Sequence, residues 1–136
     1  MNEKNIKRMK KLFDGYASQK ERAKELENKI EEVFHRLSGI KAITYDNIPG
    51  TANMQEKEYQ RLDLIEQKAE LEKELAFVNE YIKRVDSILK AMPFQDRIFF
   101  EMKYLKKKSY ESIAYELHYY DGSAVYRKME AILKKM

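Results

Sequence analysis

The chain has 136 residues, 37% of them charged, a net charge of +4 and no cysteine. That length allows one domain, or one small domain with a helical extension. The missing cysteine excludes disulfides, thiol catalysis and cysteine-ligated zinc, and 4 Gly with 2 Pro are too few for a strand- and turn-rich fold.

No apolar run approaches the roughly 20 residues of a membrane span. The opening MNEKNIKRMKK lacks the apolar core of a signal peptide, so a cytoplasmic setting and no membrane partner are expected. Charge is uneven. Residues 1–11 carry Lys4, Lys7, Arg8, Lys10 and Lys11 against Glu3 alone. Residues 12–92 hold 13 basic and 16 acidic residues, and residues 93–136 hold 9 basic and 6 acidic, so a polyanion should meet the two ends.

In chain order, residues 3–37 read as one long helix. Ile6, Met9, Phe13, Tyr16, Ala23, Ile30, Phe34 and Leu37 recur at three- and four-residue steps, with Leu26 and Val33 widening the stripe and Gly15 as a weak point. Residues 38–55 carry Gly39, Pro49 and Gly50 among Ser, Thr, Asn and Asp, and read as a loop. Residues 56–91 read as a second long helix. There Leu64, Leu71, Val78, Val85 and Met92 alternate with Leu75, Ile82 and Leu89 in heptads broken only at Lys68, a coiled-coil pattern. Two helices of this length, each about 1.5 Å per residue, are expected to fold back as an antiparallel hairpin over residues 1–92 and to self-associate as a homodimer.

Pro93 ends the second helix. Three short amphipathic segments follow: 94–105, 109–117 with Ser109 as N-cap, and 123–135. None is long enough to fold alone, so they are expected to share one core over residues 93–136. The whole chain is thus expected to be all-α. The last two segments read as a helix-turn-helix, a motif whose second helix lies in the DNA major groove. Val125, Met129, Ile132 and Leu133 define its buried face. The other face carries Ser123, Ala124, Arg127, Lys128 and Ala131. Small Ser123 and Ala124 allow close approach, and Arg127 suits a bidentate contact to guanine or a phosphate clamp. Lys128 and Lys134 suit phosphate, as do Lys106, Lys107 and Lys108 in the turn before the motif. Six of the ten tyrosines fall between residues 104 and 126, and their hydroxyls are further candidates for phosphate, Tyr126 among them. If the long helices fold back antiparallel, the basic N-terminus lies beside this unit and adds to the same surface.

The stretch MKYLKKKSYESIAYEL followed by VYRKMEAILKKM resembles the fourth conserved region of bacterial sigma factors. It is closer to the sigma-like C-terminal domain of small phage and prophage regulators of the ArpU and RinA type. The matching residues are Lys103-Tyr104, Ser109-Tyr110-Glu111, Ile113-Ala114, Leu117, Val125-Tyr126-Arg127 and Leu133-Lys134-Lys135. The family pattern often has glycine where this chain has Lys107, and usually has glycine after the leucine, where this chain has His118. The second turn is also slightly longer, which leaves the first residue of the groove helix open. The resemblance implies a late-gene activator that binds double-stranded DNA in a bacterial host cell, with the helical hairpin serving either dimerisation or contact with RNA polymerase.

No catalytic set is readable. His35 and His118 are the only histidines, 83 residues apart, and no Gly-rich phosphate loop occurs. His118 reads as a turn residue and His35 as an exposed helix residue. No enzymatic activity, metal or cofactor is expected. Two alternatives stay open: a DNA-packaging adaptor like a terminase small subunit, and a helical module that binds RNA polymerase or a sigma factor without DNA.

Overall fold

The structure is a computed structural model that describes residues 2–42 and 51–136. Every regular element among them is helical. In order these are α1 (Glu3–Asp14), α2 (Tyr16–Ala42), α3 (Thr51–Ala91), α4 (Phe94–Phe100), α5 (Tyr110–Leu117) and α6 (Gly122–Lys135). A π-helical turn, Glu101–Leu105, follows α4 directly. No helix among the described residues is long and apolar enough to cross a membrane.

The chain forms two compact units, one of Met1–Lys20 with Glu80–Met136 and one of Glu21–Asn79. The boundary expected at Pro93 therefore falls inside the first unit. The short C-terminal helices share their core with both the start of the chain and the end of α3. Ile6, Phe13 and Tyr16 from the start of the chain, and Val85, Leu89 and Met92 from the end of α3, complete it. They are buried in one cluster with Phe99, Phe100, Met102, Ile113, Val125, Met129, Ile132 and Leu133. Phe13 is central: its ring centroid lies 5.2 Å from Phe100 and 5.3 Å from Tyr104. Each such buried side chain contributes roughly 1.5–3 kcal/mol from burial alone.

The single helix expected over 3–37 is broken at Gly15. The Tyr81 hydroxyl donates to the Leu12 carbonyl, the group that would otherwise accept from Tyr16 in an unbroken helix. A Cβ at Gly15 would lie 2.7 Å from that same hydroxyl, so only glycine leaves room for it. The loop expected over 38–55 is shorter at both ends, because α2 continues to Ala42 and α3 begins at Thr51. Its remainder lies outside the described residues.

In the second unit, Ala23, Leu26, Val33 and Val78 are buried. The stripe expected through Phe34 rotates away from it. Phe34 is 53% exposed, and Leu26 and Val33 take the inner positions as a 3.5-residue seam requires. The heptads of α3 follow expectation: Val78 is buried, and Leu64, Leu71 and Leu75 are half-buried. Arg22 Nη2 donates to Glu74 Oε1 at 2.6 Å, and the Lys68 ammonium lies 5.9 Å from the Phe34 ring.

The C-terminal helices of the first unit form for local reasons. The segment expected as one helix over 94–105 winds wider after Phe100, with Lys106 N–H donating to the Glu101 carbonyl at 3.0 Å. Ser109 caps α5, its hydroxyl accepting from Ser112 N–H at 3.1 Å. His118 ends α5 in the left-handed region, and Tyr119 N–H reaches back to the Ala114 carbonyl at 2.8 Å. Asp121 then caps α6, accepting from Ala124 N–H at 2.8 Å. The groove-helix candidate thus starts at Gly122, one residue before the expected 123.

Lys107 and His118, with φ of 53° and 61°, are the described non-glycine residues with positive φ. A side chain in that region costs of order 1–3 kcal/mol, offset in part by the greater unfolded-state freedom of glycine. Lys107→Gly and His118→Gly are each expected to stabilise the fold by about 1 kcal/mol. Urea midpoints measure this; a loss of stability at either site would refute the strain argument there.

Candidate nucleic-acid interface

The core fixes the rotation of α6. Val125, Met129, Ile132 and Leu133 are buried as expected, so Ser123, Arg127, Lys128 and Ala131 face solvent and Ala124 is half-buried. Arg127 Nε donates to the Ser123 carbonyl at 3.3 Å, which lays the arginine along its own helix. Lys134, seven residues on, shares that face. The faces of α6 are therefore those that 3.6-residue periodicity predicts.

The N-terminus of α6 is closed by two carboxylates. Asp121 takes the Ala124 N–H, and Glu111 Oε1 from α5 accepts from Gly122 N–H at 3.1 Å. These groups satisfy backbone donors that would otherwise attract an anion. The helix end therefore offers neither of these two donors to an external anion. Beside this end lies an open cleft of about 710 Å³, between Tyr110 and Glu111 on one side and Ser123, Tyr126 and Arg127 on the other.

Tyr126 is 43% exposed and is already engaged on one edge. Its ring meets Tyr110 edge-on at 5.6 Å, and the Lys10 ammonium stands 5.0 Å from its centroid and 3.4 Å from its hydroxyl. Lys10 also forms an ion pair with Glu130. The hydrogen bond to Glu130 raises Lys10 above the ordinary lysine range; burial opposes this and the Tyr126 hydroxyl adds to it. Burial raises the Tyr110 and Tyr104 phenols above the ordinary tyrosine range.

The lysine turn behaves unevenly. Lys106 and Lys107 are exposed, whereas Lys108 is half-buried and paired with Glu116 of α5. Lys108 thus spends its charge on holding the turn against α5. The sequence placed Lys10 among the N-terminal cations expected beside this unit, but not its pairing with Glu130, nor the bond from Gly122 N–H to Glu111. Asp121, directly before Gly-Ser-Ala, carried a readable N-cap signal; Glu111 and Glu130 carried none.

No family model, curated protein or solved structure matches the chain at a significant level.

Proposed function

We propose that the chain is a sequence-specific double-stranded DNA-binding transcriptional regulator, without enzymatic activity or cofactor, of the phage or prophage late-gene activator type. In this reading α5 and α6 are the two helices of a helix-turn-helix, and α6 enters the major groove. The observation that carries it is the division of α6 into a wholly buried apolar face and an outer face with small Ser123 and Ala124 beside basic Arg127 and Lys128. Major-groove insertion needs such a face: small where the backbone approaches, long and cationic where base edges and phosphates are reached.

A second observation supports the sigma-like pattern. That pattern often has glycine at the position of Lys107 and usually at that of His118, and these two residues have left-handed backbone here. The chain keeps the geometry that glycine would serve while using other residues.

The remaining helices belong to the same reading. Pairing of Arg22 with Glu74, and of Phe34 with Lys68, runs in opposite order along α2 and α3, which supports an antiparallel hairpin. Exposed Tyr59, Leu62, Ile65 and Phe77 on α3 supply apolar surface for a homodimer or for contact with RNA polymerase.

Selection from random duplexes tests the reading. The wild type should enrich one motif. Arg127→Ala should weaken binding to it by about 1–3 kcal/mol, roughly 5- to 150-fold, and weaken binding to unrelated duplexes by far less. Equal losses on both would make Arg127 a phosphate contact. Absence of any salt-dependent duplex binding would refute the proposal.

A further inference from the structure

The Lys10 contacts fix how α1 is turned against α6, and that rotation has a consequence for the rest of the N-terminal charge. On a helix of 3.6 residues per turn, successive side chains are about 100° apart. Turning around α1 from buried Ile6 and Phe13 toward α6, Lys10 comes first. Lys7 follows, then Lys11 and Lys4, with Arg8 last on the far side. Turning around α6 from buried Val125 and Met129 toward α1, Tyr126 comes first, then Glu130, then Ser123 and Arg127. Lys10 meets Tyr126 and Glu130, so these flanks face one another. Past Glu3 and Asp14, the next cations outward on α1 are therefore Lys7 and then Lys11, and Ser123 and Arg127 lie on the facing side of α6.

We infer that α1 and α6 together form a phosphate-binding groove, in which Lys7 and Lys11 take the DNA backbone that borders the major groove while α6 enters it. This rests on the reading of α6 as the groove helix. Lys10 is the floor of the groove and not a ligand, because its charge is matched by Glu130. Lys7 and Lys11 are exposed and have no ion pair among the described residues. Glu3 and Asp14 lie on the same strip as Lys7, one toward each end of α1, and confine the positive stretch to the two turns between them. Such a site suits one backbone strand. A major groove about 12 Å wide is bordered by phosphates on both sides of an inserted helix, and α1, which meets α6 through Lys10, faces one of those borders.

The test uses the full chain and a fluorescent duplex of mixed sequence, titrated between 50 and 200 mM salt, conditions over which phosphate contacts are resolved. Each phosphate contact adds about −0.9 to the slope of log affinity against log salt, so Lys7→Gln with Lys11→Gln should flatten it by about 1.8. Far-UV circular dichroism should not change, since both side chains are exposed. Arg8→Gln, on the far side of α1, should leave the slope nearly unchanged. An unaltered slope in the double variant, with binding still weakened by Arg127→Ala, would overturn the groove and leave the α6 reading intact. Equal flattening per charge by Arg8→Gln would also overturn it, because the effect would then be diffuse charge. A wild type that binds no duplex would remove the α6 reading itself, and the groove with it.

Discussion

Phe13→Ala is expected to destabilise the first unit by about 3–5 kcal/mol, the range for removing a buried aromatic ring. Phe13 is 1% exposed and packs on Phe100 and Tyr104, residues 87 and 91 positions away. Surrounding helices would have to collapse inward to fill the void, and α1, α3 and α4 are all held by other members of the same cluster. The loss should therefore spread to α4–α6 rather than stay in α1. Tyrosine circular dichroism reports it selectively, because six of the ten tyrosines lie between residues 104 and 126 and there is no tryptophan. Urea unfolding by that signal should shift together with the far-UV signal. A variant that loses α1 but keeps the tyrosine transition in place would mean that residues 93–136 hold themselves together, and that the N-terminal helix is an appendage.

The same residue marks what could be read in the sequence. Local periodicity placed the inner face of α6, the heptads of α3 and the Ser109 cap, because each depends on neighbours within a turn or two. The unit boundary was not legible in this way. Pro93 is a strong local stop, but the core ignores it: Ile6 and Phe13 join Leu89 and Met92 in covering the short helices. The break at Gly15 depends on Tyr81, 66 residues later. The candidate interface shows the same division. Ser123, Arg127 and Lys128 fall on the solvent face as periodicity required. Lys108 and Lys10 look like equivalent surface cations in the sequence, yet Glu116 and Glu130 neutralise them across a turn and across the chain. Spacing shows which side of a helix a charge occupies; only the tertiary fold shows whether the charge is already matched.

Gly122→Val should produce the second large effect, at the start of α6. Gly122 is buried, and a Cβ there would lie 3.1 Å from Tyr110 Cβ and meet the Glu111 carboxylate head-on. That carboxylate accepts the Gly122 N–H, so it cannot move aside without giving up the bond. Overpacking and loss of a hydrogen bond to a charged group together cost about 3 kcal/mol. Helix propensity acts the other way, since valine is a better interior helix former than glycine by a few tenths of a kcal/mol, and it is too small to compensate. A double-mutant cycle separates these causes. Glu111→Ala alone should cost about 1–2 kcal/mol for the lost bond. With the carboxylate gone, the valine methyls have space, so the double variant should be more stable than the sum of the singles by at least about 1 kcal/mol. Urea midpoints of the four proteins close the cycle. Additivity within about 0.3 kcal/mol would show that Glu111 and Gly122 do not press on each other. Duplex binding adds an independent readout if α6 is the groove helix. The first turn of α6 carries Ser123 and precedes Arg127 by little more than a turn, so pushing Gly122 off Glu111 re-aims both. Gly122→Val should then lose preference for the selected motif while keeping its salt-dependent affinity for mixed duplex, because the lysines of α1 stay where they are.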